Sequence, residues 1–375
     1  MERRRFLKQA AAAAAGVSAL SACGGGADRQ RGGPAVQTRK QVRWRLASSY
    51  PRSLDTIFGV SEMLAKLTEQ MSDGQFKLRV YPPGEIVPGL QVMDAVHQGT
   101  VQVGHTASYY YTGKHPAFAF DTSMPFGLTS RQQMAWLSEA GGADLLAPLF
   151  ADFKIVPFAA GNTGAQMGGW FKREINSAAE LEGLKMRIPG MGGEVMSRMG
   201  ATVQVLAGGD IYPALERGAI DATEWIGPHD DEKLGFHKVA KYYYYPGFWE
   251  PGPSLTFMVN KQAWEGLPAT FKAIFEAASQ AASARMQAQY DALNPLALGR
   301  LKKAGVEFRA FGADVLAAAR GSSEALLSEH AAKDATYRKI YTHWSKFRSE
   351  TFAWFNMAEQ SYAQFAFRGS SSTTK

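Results

Sequence analysis

From residue 42 onward, the hydrophobic positions of the chain follow two periods in turn. The segment VRWRLAS, which begins at Val42, alternates apolar and polar residues and predicts a strand. The apolar residues between Ile57 and Met71 recur at steps of three and four, which is typical of an amphipathic helix. FKLRVYP alternates again, and a short helix around Leu90–His97 and a strand in TVQVG follow. This order predicts a mainly parallel sheet covered by helices.

The second half of the chain continues the same order of strands and helices. Strands are predicted at Leu184–Ile188, which carries Arg187, and in SLTFMVN. Ser177 and Glu180 have the spacing of a capping box, so a short helix is predicted to begin there. The long run that starts with LPATF is predicted to be helical, with a kink or break at Pro295 because proline removes a backbone donor.

The length of 375 residues is enough for two lobes, because single hydrophobic cores rarely grow beyond about 250 residues. Ligands of open α/β sheets bind at the carboxyl ends of the strands. Glu224 and Trp225 follow one predicted strand and lie among apolar neighbours, which is unusual for a solvated acid. The adjoining segment Pro228–Glu232 is predicted instead to be a helix start, with proline in the first turn and acids near the positive end of the helix dipole.

The C-terminal segment from Ala335 to about Phe367 is predicted to be helical and is rich in aromatic residues. One exposed helix is not expected to leave so much aromatic surface in water. We therefore predict that this tail packs across the lobes or onto a second subunit.

The first residues of the chain predict an export signal that is not part of the fold. The basic residues Arg3–Arg5 lie in a segment that resembles the twin-arginine export motif, and the apolar run from Ala10 to Ala22 is too short to span a bilayer. The segment Leu20–Cys23 resembles a bacterial lipobox. That resemblance implies cleavage before Cys23, a lipid on its sulfur and possible anchoring to a membrane.

Composition excludes several other classes of protein. Cys23 is the only cysteine, so an intrachain disulfide is not possible. Removal of residues 1–22 would reduce the net charge from +7 to +4, and the remaining basic residues are scattered, so nucleic-acid binding is not expected. No later apolar stretch approaches the roughly 20 residues of a membrane span.

Four segments resemble the DctP-type solute-binding proteins of TRAP transporters, most closely the branch that binds 2-oxo acids such as pyruvate, or lactate, together with a metal ion. They are GNTGAQMGGWF, LEGLKMRIPG, GGDIYPALERGAIDATEWIGPHDDEKLGF and YYYYPGFWEPGP, within a resemblance that extends from about Val42 to beyond Pro268. The resemblance implies a two-lobe α/β periplasmic binding protein that closes on its ligand about a hinge. It also implies delivery to TRAP permease subunits in the membrane, homodimers to which the tail contributes, and no catalytic residues.

The resemblance assigns roles to individual residues. Arg187 lies in the K-x-R strand that binds the substrate carboxylate. Other positions near the substrate are those of Asn162, Trp225 and the tyrosines from residue 109 to residue 111, of which Tyr109 and Tyr110 are the candidates. The metal ligands that the resemblance implies are Gln166, Glu224, the backbone carbonyl of Trp225, and Glu250.

The chemistry of these residue types suits the implied roles. Arginine presents a planar fork that matches the two oxygens of a carboxylate, and hard cations prefer carboxylate, amide and carbonyl oxygens. Glu224, Glu250 and a substrate carboxylate carry three negative charges against one positive charge on Arg187. A divalent ion would neutralise this buried set, which favours calcium, although the family uses sodium as well.

Two other functions stay open. A binding protein of the same fold could take a sugar acid, an amino acid or a dicarboxylate. The single Arg187, however, favours a monocarboxylate, and Trp225, Phe248 and Trp249 favour a small apolar tail. A metal-dependent hydrolase could use Glu224 and Glu250. The seven histidines, however, form no metal-binding spacing, and no G-x-S-x-G elbow is present.

We predict the following division of the chain. Residues 1–22 form the export signal and residues 23–41 form a flexible tether. The first lobe comprises residues 42–157 and about 240–285. The second lobe comprises residues 158–239 and about 286–330. Residues 331–375 form the helical tail, a candidate dimerisation element.

Overall fold

The computed structural model of the protein describes residues 41–367. The predicted export signal, Cys23 and nearly all of the tether lie outside these residues. Within them, the strands form two sheets. The strands are β1 (Val42–Ser48), β2 (Phe76–Tyr81), β3 (Val103–Thr106), β4 (Ile155–Asn162), β5 (Gly169–Phe171), β6 (Lys185–Arg187), β7 (Thr202–Gln204), β8 (Ala222–Thr223), β9 (Tyr242–Tyr245), β10 (Ser254–Asn260) and β11 (Glu307–Ala310).

Helices cover both sheets, and no helix within residues 41–367 is long and apolar enough to cross a membrane. The α-helices are α1 (Gly59–Met71), α2 (Val92–His97), α3 (Ala119–Thr122), α4 (Ser130–Ser138), α5 (Gly142–Asp152), α6 (Gly190–Arg198), α7 (Gly208–Glu216), α8 (Pro228–Leu234), α9 (Lys261–Glu265), α10 (Ala269–Lys303), α11 (Ala313–Lys333), α12 (Ala335–Phe355) and α13 (Ser361–Ala366).

The first sheet has the order β2-β1-β3-β10-β4. Strands β1, β2 and β3 are parallel, as the sequence predicts, whereas β10 runs antiparallel to both β3 and β4. The alternation in β1 buries Trp44 and Leu46 and leaves Arg43 and Arg45 exposed. Strand β3 begins at Val103, slightly later than the predicted TVQVG strand.

The second sheet has the order β11-β9-β5-β8-β6-β7. Strands β6, β7 and β8 are parallel to one another, and β5 is antiparallel to β8 and β9. Strand β9 belongs to this sheet, although the predicted boundary near residue 240 assigned it to the first lobe. Its backbone pairs with β5 on one side and with β11 on the other, and its two central tyrosines, Tyr243 and Tyr244, are buried. The other lobe boundaries stay a prediction.

Helix α10 links the two halves of the fold. It packs against α1 and β4 of the first sheet and against α8, which follows β8 of the second sheet. The helix continues through Pro295, so of the two predicted outcomes the break is wrong, and a kink at the proline stays a prediction. Tyr290 and Ala297, on either side of the proline, are both fully buried, and this packing holds the helix together despite the lost backbone donor.

The predicted capping box at Ser177 is also wrong. Residues Ala178–Leu181 form one turn of 3₁₀-helix, and Ser177 makes no side-chain capping bond. Asp314, at the start of α11, accepts a hydrogen bond of 2.9 Å from the Ala178 amide instead. The first backbone N–H of this turn is therefore satisfied by a side chain that is distant in sequence.

The aromatic tail divides into two parts. Tyr337 and Trp344 of α12 are buried against the aromatic ring of Phe120. Beyond residue 353 most of the large apolar side chains are exposed, among them Trp354 at 62% and Phe365 at 86%, whereas Phe355 is half-buried under the guanidinium of Arg131. The first part therefore packs on the body of the protein, as predicted, and the second part leaves most of its apolar surface uncovered within this chain.

Gly169 opens β5 at a point where the backbone comes very close to β8. Its φ is +85°, and an added Cβ would lie 2.3 Å from the Thr223 carbonyl oxygen and 3.0 Å from the Glu224 Cα. Only glycine avoids both the strained backbone and the contact.

We expect Gly169→Ala to reduce the free energy of unfolding by about 2 kcal/mol or more, because backbone cannot move aside cheaply. Gly321→Ala is the matched control: Gly321 is exposed within α11 and has open space around it. That control should be stabilised by about 0.5–1 kcal/mol through helix propensity. Denaturant unfolding measures both, and equal stability of the two variants would contradict this account of β5.

Candidate functional site

The sequence-predicted site residues come from loops at the ends of strands in both sheets. Arg187 ends β6, and Glu224 and Trp225 follow β8 directly. Parallel pairing of these strands sets Arg187 opposite Thr223, so the arginine and the glutamate are brought side by side. Gln166 lies between β4 and β5, and Glu250 lies between β9 and β10. The carboxyl ends of the strands are therefore where the polar residues meet, as predicted.

Backbone hydrogen bonds tie three of these loops together. The backbone N–H of Gln166 donates to the backbone carbonyl of Glu250 at 3.1 Å, and the backbone N–H of Gly247 donates to the backbone carbonyl of Gln166 at 3.0 Å. The Met167 amide donates to the Ile226 carbonyl at 3.0 Å. A Cβ on Gly247 would lie 2.6 Å from the Met167 carbonyl oxygen, so glycine is required for this close approach. The loops therefore hold their side chains as one unit.

Arg187 and Glu224 form an ion pair that is almost completely buried, with side-chain exposures of 1% and 0%. The Arg187 Nη1 donates to the Glu224 carboxylate and, at 3.2 Å, to the Glu224 carbonyl oxygen. The Arg187 Nε donates to the Leu206 carbonyl at 3.1 Å, and the guanidinium carbon lies 5.2 Å from the centre of the Trp225 ring. The arginine is thus fixed from three sides.

Several polar atoms of this buried set have no hydrogen-bond partner. They are acceptor oxygens on Gln166 (Oε1), Glu224 (Oε2) and Glu250 (Oε2), together with donors on Arg187 (Nη2) and Tyr50 (Oη). A buried polar atom without a partner costs about 1–3 kcal/mol. Unpaired acceptors of carboxylate and amide type suit a hard cation, and unpaired donors suit an anion, so the residues present fit both.

Burial raises the pKa of Glu224 to about 7, while Arg187 acts in the opposite direction and Asp231 adds to the rise. Burial also holds the pKa of Glu250 well above its usual range, and repulsion from Glu224 adds to this effect. Two buried carboxylates near one arginine carry an excess negative charge when ionised. A cation bound between them would relieve this repulsion.

The structure distinguishes the three neighbouring tyrosines. Tyr109 and Tyr110 line the cavity beside Arg187 and Gln166. The Tyr111 hydroxyl instead pairs with the Thr106 hydroxyl at 3.1 Å and accepts from a backbone amide. Tyr109 and Tyr110 are therefore the pair that faces the candidate site.

Asn162 does not line the cavity between these loops. Its amide nitrogen donates to the Gly252 carbonyl at 2.8 Å and to the Ser254 hydroxyl at 3.2 Å, and its oxygen accepts from the Gly164 amide at 2.8 Å. The side chain braces two loops here. A direct contact between Asn162 and a ligand stays a prediction.

The cavity is small: the volume open to the centre of a water molecule is about 10 Å³, which is enough for about one water. Sequence reasoning missed several of its walls. Tyr50 follows β1, so the rule that sites lie at the carboxyl ends of parallel strands could have indicated it. The other missed walls are Ile57, Thr163, Ile226, Pro253 and Leu255, which carry no signal of their own in the sequence.

The predicted helix start at Pro228–Glu232 exists as α8, with the proline in its first turn. Its acids, however, do not all face water: Asp230 and Asp231 are fully buried. Within residues 41–367, no three histidine, cysteine, aspartate or glutamate side chains gather as a metal cluster, here or elsewhere. The local pattern predicted the helix correctly but did not predict that two of its acidic side chains are buried.

Two α/β sheets, a connecting helix and a small cavity between loops from both sheets define a class of two-lobe solute-binding proteins. Residues 47–334 match the DctP family, described as bacterial extracellular solute-binding protein, family 7. The chain belongs to this family, and the predicted family and two-lobe fold are confirmed.

Similar proteins of known name or structure agree with this assignment. A monocarboxylate 2-oxoacid-binding periplasmic protein of Nostoc sp. is 51% identical over 98% of this chain and 99% of its own length. A TRAP transporter solute-binding protein from Bordetella bronchiseptica is 47% identical, with a TM-score of 0.88 over 89% of this chain and 100% of its own. It is a dimer of mixed occupancy, with calcium and picolinate in one site. A TRAP solute-binding protein from Pseudoalteromonas atlantica with bound sodium and pyruvate is 40% identical, with a TM-score of 0.84 over 87% and 99% of the two chains.

The buried Asp230 gives a test by pH. Its Oδ2 accepts from the Tyr290 hydroxyl at 2.7 Å, its Oδ1 has no partner, and burial raises its pKa from 3.8 to about 7. The neutral form therefore contributes stability that is fully present below about pH 4 and is lost as the pH rises through about 7.

We expect Asp230→Asn to remove this part of the pH dependence, so that the variant gains stability relative to the parent protein as the pH rises from about 4 to about 8. Asp231 and Glu224, whose pKa values are raised to about 6 and about 7, will continue to titrate in both proteins. Denaturant unfolding of the ligand-free proteins across this range measures the difference. Parallel curves for the two proteins would show that Asp230 does not titrate as described.

Proposed function

We propose that this chain is the extracytoplasmic solute receptor of a TRAP transporter and binds a small 2-oxo monocarboxylate, such as pyruvate, together with calcium or sodium. A 2-hydroxy acid such as lactate is the nearest alternative ligand. One observation carries the proposal: the loops that meet here bury an arginine with an unpaired donor together with three unpaired acceptor oxygens, on Gln166, Glu224 and Glu250. TRAP permease subunits in the membrane are the proposed recipients of the ligand.

The division of labour follows from charge. The free Nη2 of Arg187 and the hydroxyls of Tyr50 and Tyr110 would bind the carboxylate and its neighbouring oxygen. Gln166, Glu224 and Glu250, with the backbone carbonyl of Trp225, would hold the metal ion. The ion supplies positive charge that allows a third carboxylate to enter a site which already holds two.

The shape of the cavity supports a small ligand. One part of the cavity lining is polar and the other part is apolar, and little space remains between them. The apolar wall is formed by Ile57, Ile226, Pro253 and Leu255. A short apolar tail fits such a wall, whereas a second carboxylate or a sugar hydroxyl would be left without a partner. This wall supports a monocarboxylate over the dicarboxylates and sugar acids that the sequence left open.

We expect pyruvate with calcium to raise the melting temperature of the purified protein, and EDTA in sodium-free buffer to abolish the rise. Arg187→Lys should weaken pyruvate binding by about 100-fold or more, because lysine cannot present a fork and leaves Glu224 poorly paired. Arg198→Lys is the matched control, since Arg198 pairs with Glu329 on an exposed surface. Calorimetry measures the three affinities.

Full pyruvate affinity in Arg187→Lys would refute the role of the arginine. An effect of EDTA that sodium alone reverses would identify sodium as the ion. Incubation with pyruvate and lactate, followed by analysis of all products, tests the hydrolase alternative built on Glu224 and Glu250. A receptor returns its ligand unchanged.

We also propose that the chain forms a homodimer through the end of its tail. Trp354, Met357, Tyr362 and Phe365 are between 62% and 86% exposed, and they follow one another along α12, a π-helical turn and α13. Such a run of exposed apolar residues is characteristic of an interface between proteins. The related Bordetella bronchiseptica protein is a dimer.

The double variant Tyr362→Ser, Phe365→Ser should be monomeric at concentrations where the parent protein is dimeric, because the apolar contact is lost. Leu296→Ser is the control, since Leu296 is similarly exposed, at 60%, but belongs to α10 and not to the tail. Light scattering after gel filtration measures the mass. A dimeric double variant would place the interface elsewhere.

Export by the twin-arginine route to the periplasm, and a lipid on Cys23, are proposals that rest on the resemblance of residues 3–8 and 20–23 to the corresponding signals. Both segments lie outside the residues that the structure describes. The related protein of Nostoc sp. is named as periplasmic.

A further inference from the structure

Asp231 lies directly behind the loop that carries Glu224 and Trp225, and it is fully buried. Both of its carboxylate oxygens are in use. Oδ2 accepts hydrogen bonds from the Trp170 indole at 2.9 Å and from the Tyr243 hydroxyl at 2.7 Å. Oδ1 accepts from two consecutive backbone amides, those of Ile226 at 3.3 Å and Gly227 at 3.2 Å.

The hydrogen bond from the Ile226 N–H to Asp231 also affects the orientation of the preceding carbonyl, that of Trp225. The N–H of Ile226 and the C=O of Trp225 belong to the same peptide unit, which is trans. In a trans peptide these two bonds are coplanar and point in opposite directions. An acceptor that holds the N–H of Ile226 therefore also fixes the direction of the Trp225 carbonyl, which points away from Asp231.

The carboxylate is itself held by the second sheet. Trp170 of β5 and Tyr243 of β9 are paired in register, and their rings stack with centroids 4.0 Å apart. Both donate to the same oxygen of Asp231. The following carbonyl, that of Ile226, is fixed by the Met167 amide at 3.0 Å. The loop is therefore anchored on both sides of the Trp225–Ile226 peptide by groups that cannot move independently of the sheet.

We infer that Asp231 is a positioning residue that aims the Trp225 carbonyl oxygen at the metal ion. The inference rests on the proposed function, because it is the metal site proposed above that the carbonyl would serve. A charged acceptor also polarises the amide that donates to it, which increases the negative charge on the carbonyl oxygen of the same peptide. Groups that orient metal ligands in this way typically contribute about 10- to 100-fold in metal affinity.

The test compares Asp231→Asn with Asp230→Asn. The two aspartates are adjacent and equally buried, but Asp230 hydrogen-bonds the Tyr290 hydroxyl and makes no hydrogen bond to the loop. Calorimetric titration with calcium should show an affinity at least about 10-fold weaker in Asp231→Asn than in the parent protein, and an unchanged affinity in Asp230→Asn. Saturating calcium should restore pyruvate binding to Asp231→Asn.

A second measurement reports on the carbonyl itself. Terbium replaces calcium as the probe, and its luminescence lifetimes in H₂O and D₂O count the water molecules bound to the ion. Asp231→Asn should bind one more water than either the parent protein or Asp230→Asn, because water replaces the carbonyl. A general loss of stability would not produce this difference.

The outcomes are separable. Parental calcium affinity and terbium hydration in Asp231→Asn would overturn the inference, and so would equal losses in both variants. A parent protein that binds neither calcium, terbium nor sodium would overturn the proposed function instead. If Asp231→Asn does not fold, Tyr243→Phe removes one donor to Oδ2 and leaves Oδ1 in place. It should show a smaller loss of calcium affinity in the same direction, and an unchanged affinity there would overturn the inference.

Discussion

The buried ion pair between Arg187 and Glu224 is the interaction on which the rest of the structure depends. Removing two charges from water costs several kcal/mol for each ion, and their attraction offsets that cost only when the remaining atoms also find partners. Here Nη2 of the arginine and Oε2 of the glutamate have none. The pair is therefore incomplete, and it is an anion and a cation together that would complete it.

The surrounding framework keeps this incomplete pair in place. Parallel pairing of β6 with β8 sets the two residues side by side, and loops from both sheets are joined by backbone hydrogen bonds. Gly169 and Gly247 allow the backbones to approach where a side chain would not fit. Burying the two carboxylates of the site raises their pKa values and costs free energy. The packing of the surrounding framework offsets that cost, so the site is held ready for its ligand.

Helix α8 shows where local reasoning was sufficient and where it was not. A proline followed by acids predicts a helix start, and the helix is there. The same pattern does not report burial, because the helix dipole attracts a carboxylate in the first turn both at the surface and in the interior. Partners from three separate segments, Trp170, Tyr243 and Tyr290, donate hydrogen bonds to Asp230 and Asp231. All three lie outside the helix, and Trp170 and Tyr290 are about 60 residues away in sequence.

By itself, the sequence determined several of the strands and helices, the two-lobe family and the residue types that could bind a carboxylate and a hard cation, because these depend on hydrophobic period and on local chemistry. Only the tertiary structure decided which of them meet. Tyr109 and Tyr110 line the cavity, whereas Tyr111 hydrogen-bonds elsewhere. The Asn162 side chain hydrogen-bonds to neighbouring loop residues, and Tyr50 forms part of the cavity wall. Contacts between residues far apart in the chain depend on how the sheets and loops pack, and no short segment contains that information.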